Sequence, residues 1–170
     1  MLYIIGPRGA GKTTIGKRLA ETASYPFIDT DALILQRAGM TIAEFVKLNG
    51  WDQFRQLETE ILTSLSQLPS VISTGGGIIL APENRQFMRD TGTVIYLNAS
   101  VDVLADRLSA APEADQRPSL TGKSILDEIS EVMATREPLY LSTAHHIIDA
   151  QMPVETIVRQ LIQLTGDLSV

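Results

Sequence analysis

Residues 6 to 14 read GPRGAGKTT, with glycines, a lysine and a threonine pair behind the apolar run Leu2-Tyr3-Ile4-Ile5. Gly6, Gly11, Lys12 and Thr13 fit the spacing G-x-x-x-x-G-K-[ST], after a strand pattern and before a helical one. Glycines let successive backbone N–H groups point into one concavity, because no side chain obstructs them. The helix that follows adds the partial positive charge of its N-terminus. Lys12 can reach the β and γ phosphates of a nucleotide, and the Thr13 hydroxyl can ligate magnesium. The competing reading is a Gly-rich turn that only joins a strand to a helix; the complete spacing and its flanks argue against it. A nucleotide-phosphate site is therefore expected. The loop alone does not name an acceptor, since kinases, GTPases, motor ATPases and nucleotide sensors all carry it.

Three further stretches address the acceptor. FIDTD closes the second strand pattern, and Asp29 and Asp31 share a face if that strand persists through both. One carboxylate can then hold magnesium, and the other can orient an alcohol for in-line attack, a task of positioning more than of strong basicity. Either aspartate alone could instead cap the next helix. STGGG ends the third strand, and Gly75, Gly76 and Gly77 leave room for a ring against bare peptide, with N–H groups able to donate. A flexible strand-to-helix turn is the plainer reading of that string. WDQFRQLE places Arg55 and Glu58 three apart on one helix face. They form either an exposed pair of little consequence or a carboxylate that holds the arginine fork for an anionic ligand. Arg136, in TREPLY, is expected at the end of a helix closed by Pro138.

These residues need a scaffold that gathers strand ends. Strand patterns fall at Leu2–Ile5, Pro26–Ile28, Ser70–Ser73, Thr93–Leu97 and Ile147–Ile148. Helical patterns separate them: Lys12–Ala23, Ala32–Ala38, Ile42–Leu48, Asp52–Gln67, one opened by Pro82, one capped by Ser100, one from Ser124 to about Arg136, and Val154–Leu164. Thr41 and Glu44 read as a capping box. Such alternation predicts an α/β fold with a parallel sheet covered on both faces. Residues 109–123, SAAPEADQRPSLTGK, follow neither period and read as a functional lid. Arg117 is the sole arginine of that loop, and a lid arginine can swing over phosphates to stabilise transition-state charge.

At 170 residues, with 44% hydrophobic and 20% charged, the chain has the composition of one globular domain. The net charge of −6 argues against a nucleic-acid surface. No apolar run reaches membrane-spanning length and no leader pattern opens the chain, so no membrane partner is expected and the cytoplasm is. The absence of cysteine excludes disulfides and thiolate metal sites.

Together, GPRGAGKTT, FIDTD, FR-x-x-E, TGGG, the lid R-P and R-E-x-L-Y resemble the shikimate kinase family, in its longer-lid form similar to the second enterobacterial isozyme. The resemblance spans residue 2 to about 155. It implies a nucleoside monophosphate kinase fold: a three-layer α/β/α domain with a five-stranded parallel sheet in the order 2-3-1-4-5. A helical acceptor-binding subdomain is implied at about 31–60 and a lid at about 109–123. The implied reaction moves the ATP γ-phosphate to the 3-hydroxyl of shikimate, on the route to chorismate and the aromatic amino acids. By similarity Gly9, Ala10, Gly11, Lys12, Thr13 and Thr14 bind the ATP phosphates. Thr13 with Asp29 serves Mg2+. Asp31, Arg55, Gly76 and Arg136 bind shikimate, with Glu58, Gly75 and Gly77 beside them. Lys12, Asp31 and Arg117 are the implied catalytic groups, and Arg107 and Pro153 lie by the adenine. A monomer acting on small molecules is expected. Another small-molecule kinase, with gluconate or a nucleoside monophosphate as acceptor, and a non-catalytic nucleotide-binding module are the rivals. Asp29 carries extra weight, because no hydrophobic run ending in aspartate follows the third strand. Arg8 is either a second transition-state cation or a solvent-facing side chain. Tyr96 and Tyr140 are read as core or boundary residues, and His145 and His146 as structural.

Overall fold

A computed structural model describes residues 1–65, 68–110 and 123–166. Among these, five parallel strands form one sheet: β1 (Leu2–Ile5), β2 (Phe27–Asp29), β3 (Val71–Ser73), β4 (Thr93–Asn98) and β5 (His146–Asp149), in the order β2-β3-β1-β4-β5. Between and after them run α1 (Lys12–Ala23), α2 (Thr30–Ala38), α3 (Ile42–Ser64), a 3-10 turn at Ile78–Leu80, α4 (Pro82–Thr91), α5 (Val101–Ala110), α6 (Ile125–Thr143) and α7 (Val154–Thr165). The expected strand order is the observed one.

This order fixes where ligands can sit. The chain leaves β1 in one direction to build β2, then returns the other way through β3, β4 and β5. Right-handed crossovers then put α1 on one face and α3, α4 and α6 on the other. Accordingly α1 packs against α7, and α4 against α6. The direction reverses between β1 and β3, and crevices open at the carboxyl ends of strands flanking such a reversal. The loop after β1 and the glycines after β3 both lie there.

Leu2, Tyr3, Ile4 and Ile5 of β1 and Val94 to Leu97 of β4 are fully buried, as central strands covered on both faces must be. Ile34, Ile42, Phe54 and Ile61 form a second, separate core between α2 and α3. Trp51 and Phe45 meet the Phe54 ring edge-on there, at centroid distances of 5.6 and 6.5 Å. The Thr41 box forms: Thr41 Oγ1 accepts from the Glu44 N–H at 3.1 Å, and Glu44 Oε2 accepts from the Thr41 N–H at 3.0 Å.

The expected break between Ile42–Leu48 and the following helix is present inside α3, at Gly50, with φ 83° and ψ 168°. The elements depart from expectation in three places. The second strand ends at Asp29 and α2 begins at Thr30, so Asp29 and Asp31 do not alternate along one strand. The helix through Arg136 is not closed by Pro138; α6 continues to Thr143. Its buried Tyr140 and Thr143 anchor the last turn and outweigh the one N–H that proline lacks. Ser109 and Ala110 belong to α5 rather than to a loop. Of the expected lid, residues 111–122 lie outside the described residues, Arg117 with them.

Candidate active site

Gly11 precedes α1 with φ 91° and ψ 21°, a left-handed conformation that a side chain would strain. The turn aims the free N-terminal amides of α1 into the space above β1. Lys12 Nζ donates to the carbonyls of Gly6 at 2.8 Å and Pro7 at 2.9 Å, folding the lysine back along its own loop. Thr13 and Thr14 are exposed at the helix start. Arg107, from α5, donates to Gly9 O at 3.0 Å, Ala10 O at 3.3 Å and Ala150 O at 2.9 Å. One guanidinium therefore ties the phosphate loop to the segment after β5. Pro153 stands three residues further on, exposed, as the N-cap of α7.

Asp29 caps α2 with one oxygen and meets the phosphate loop with the other. Its Oδ1 accepts from the N–H groups of Asp31 (2.9 Å) and Ala32 (3.3 Å), capping α2. Its Oδ2 accepts from the Thr13 hydroxyl at 3.3 Å. Asp31 occupies the first turn of α2 and is half-buried.

The glycine loop is pinned from three sides. Thr74 bonds Ile4 O through its N–H (3.1 Å) and its hydroxyl (3.0 Å). The Gly75 N–H donates to Thr30 Oγ1 at 3.1 Å. The Tyr140 hydroxyl donates to Gly76 O at 2.5 Å. A methyl built on Gly76 would lie 3.6 Å from Arg8 N, 3.7 Å from Gly6 O and 3.7 Å from Arg136 Nη1. Gly76 thus touches the phosphate loop and an acceptor-side arginine at once. A methyl on Gly77 would fall 2.1 Å from Arg55 Nη1, so glycine is what admits that guanidinium.

Arg55 and Arg136 arrive from α3 and α6 and converge on this loop. Arg55 Nη1 donates to Glu58 Oε1 at 2.6 Å, and its guanidinium lies 5.2 Å from the ring centroids of both Trp51 and Phe54. Glu58 is only 1% exposed. The exposed-pair reading of FR-x-x-E is therefore overturned. Burial drives the Arg136 pKa below its ordinary value; Tyr140 opposes that shift, and the like charge of Arg55 adds to it. Two cations held this close repel each other, and Glu58 offsets only part of the repulsion. An anion between them is what the pocket favours.

Tyr140 and Thr30 were not singled out as site residues from the sequence. A longer helix would have revealed Tyr140, because it stands one turn beyond Arg136 on the same face. Nothing in the spacing marks Thr30, whose partner is 45 residues away.

A family model described as shikimate kinase matches residues 8–165. The chain is 59% identical to shikimate kinase 2 of Photorhabdus laumondii over 157 residues, covering 92% of this chain and 90% of that protein. It is 51% identical to shikimate kinase 2 of Yersinia pestis (strain Pestoides F), covering 98% and 97%. Among solved structures, shikimate kinase from Acinetobacter baumannii in complex with shikimate matches with TM-score 0.89 and 31% identity, over 99% of this chain and 94% of that one. A gluconokinase from Sinorhizobium meliloti shares the fold, with TM-score 0.53 and 19% identity.

Proposed function

The chain belongs to the shikimate kinase family, and on that premise we propose how its own residues carry the ATP γ-phosphate to the 3-hydroxyl of shikimate. The products are shikimate 3-phosphate and ADP. The amides of Gly9 to Thr14 cradle the phosphates, and Lys12 turns from the Gly6 and Pro7 carbonyls to the transferring group. Arg107 and Pro153 border the adenine, with Arg107 already seated on the phosphate loop. Arg55 and Arg136 grip the shikimate carboxylate; guanidinium groups suit it because they are permanently charged and bidentate. Asp31 and the amides of the glycine loop orient the ring hydroxyls, and Asp31 aligns the one that attacks. Arg117, from the lid, stabilises charge on the moving phosphoryl group.

The residues present fit Mg2+. Thr13 Oγ1 and Asp29 Oδ2 are hard oxygen donors 3.3 Å apart, and the other Asp29 oxygen is fixed by the α2 amides. A magnesium ion takes few protein ligands and keeps water and phosphate oxygens. When bound, the ion would neutralise charge on the β and γ phosphates.

α2 and the first half of α3, with their own small core, form the acceptor-binding subdomain, which closes over the substrate together with the lid. Closure keeps water from taking the phosphate. The proposed working form is a monomer. Among the described residues no helix is long and apolar enough to cross a membrane; the proposed place of action is the cytoplasm.

The observation that carries this reading is the convergence of Arg55 and Arg136 on Gly76 and Gly77, beside the phosphate loop. An ADP-release assay with shikimate, gluconate and AMP in turn tests the acceptor, and turnover is expected with shikimate alone. A hydrogen bond to a charged group contributes about 1.5–3 kcal/mol. Arg136→Ala should therefore raise KM for shikimate about tenfold or more, with KM for ATP within about twofold. Equal losses for both substrates would remove Arg136 from the acceptor site.

A further inference from the structure

Tyr140 is fully buried on α6, one turn beyond Arg136. Its hydroxyl donates to Gly76 O at 2.5 Å, across 64 residues of sequence. A phenol has a single O–H, so that proton is committed to the glycine loop. Arg136 lies on the same helix face, and a methyl built on Gly76 would stand 3.7 Å from its Nη1. Tyr140 and Arg136 thus approach the same glycine from one helix.

The link sets a direction as well as a distance. Gly76 C=O and Gly77 N–H belong to one trans peptide plane, so they point opposite ways. With the carbonyl held toward Tyr140, the Gly77 N–H must face away from α6. The Tyr140 ring is itself fixed: Tyr96 of β4 stacks on it at 5.0 Å between centroids and 17° between planes. The Tyr96 hydroxyl is engaged separately, donating to Asn98 Oδ1 at 3.2 Å.

We propose that Tyr140 is a positioning residue for the acceptor substrate: its hydroxyl holds the Gly76 carbonyl beside Arg136, and so sets the spacing between the glycine-loop amides and the guanidinium that receive shikimate. This rests on the assignment of Arg136 to the acceptor. Tyr140 touches neither substrate. It acts by holding a flexible glycine backbone at one separation from the Arg136 guanidinium, and so reduces the ordering that binding would otherwise cost.

Tyr140→Phe removes one oxygen and keeps the stacked ring. KM for shikimate is expected to rise about five- to fifteenfold, with KM for ATP within about twofold of the parent. Trp51 is the only tryptophan, and its ring centroid lies 5.2 Å from the Arg55 guanidinium. Its fluorescence reports shikimate binding without turnover, and that Kd should rise by the same factor. Tyr3→Phe is the matched control. Tyr3 is equally buried, and its hydroxyl lies 2.8 Å from Thr91 Oγ1, at the end of the sheet away from the phosphate loop. Both KM values should stay at the parent's there. Parent-like shikimate affinity in Tyr140→Phe, whatever its melting temperature, overturns the proposal. Equal rises in both KM values do the same, because they indicate general loosening. Arg136→Ala separates the two ideas. If it weakens shikimate binding and Tyr140→Phe does not, only the positioning role fails; if neither does, the acceptor assignment falls first.

Discussion

Gly77 shows how closely the acceptor side of the cleft is packed around its arginines. A methyl group there would fall 2.1 Å from Arg55 Nη1 and 2.4 Å from Cζ. What stands in the way is the end of a long side chain, so the backbone can stay while the guanidinium moves. Moving it also loosens the bond to buried Glu58. Gly77→Ala should therefore raise KM for shikimate about tenfold, and it should lower stability by about 1–3 kcal/mol as a buried acceptor loses its donor. A coupled assay and a denaturant melt measure both. Unchanged shikimate KM would mean that Arg55 is not needed where it stands. At this scale much was legible beforehand. The phosphate loop, the Arg55–Glu58 pair and the glycine string follow from spacing and residue type. Burial did not, because Glu58 is enclosed by residues far away in sequence. Asp29 was legible as two alternatives, of which the helix cap is the one observed.

Among the elements, strand order followed from alternating strand and helix patterns, and Gly50 breaks α3 with non-helical angles between the two helical patterns, whereas the limit of α6 was misjudged at Pro138. Proline is a local penalty of about 3 kcal/mol in a helix interior. Packing outweighs it: Tyr140 and Thr143 follow Pro138, both buried. The junction of α6 with β5 carries its own consequence. His145 donates its N–H to Val94 O at 2.8 Å, and its Nδ1 accepts the Val94 N–H at 2.9 Å, an added rung where β4 and β5 begin. That rung needs Nδ1 unprotonated. Burial lowers the His145 pKa, with smaller contributions from Arg89 and His146. The folded state then binds fewer protons than the unfolded one, whose histidine titrates near 6.5. Stability from this group is complete above about pH 6.5 and falls as pH drops through the window down to the folded value. Because the side chain is largely solvated, the effect should be small, on the order of 2 °C in Tm between about pH 7.5 and 5.5. His145→Asn keeps an acceptor near Nδ1 but does not titrate, so its melting curve should lose this part of the slope. An identical slope in that variant would place the titration elsewhere.

For the whole molecule, the net charge of −6 and the binding of two anionic substrates are reconciled by where the cations lie. Lys12 and the α1 amides stand on one side of Gly76, and Arg55 and Arg136 on the other. The remaining surface stays acidic, which favours solubility over nucleic-acid contact. The acceptor side is assembled from α3, the loop after β3 and α6, elements that touch both the main core and the α2–α3 core. Shikimate bridging them should stabilise the chain as a unit. At about one hundred times Kd, a ligand that binds only the folded state adds about 2.7 kcal/mol. In a chain of this size, that corresponds to a rise in Tm of about 5–10 °C. At the same shikimate concentration, Arg136→Ala, with affinity about tenfold weaker, should keep only about half of that gain. Its shift with ADP should match the parent's, because ADP engages the opposite side of Gly76. Scanning both ligands with both proteins separates the two halves of the cleft. If the ADP shift shrank in step with the shikimate shift, Arg136 would be supporting the whole fold rather than one side of its site.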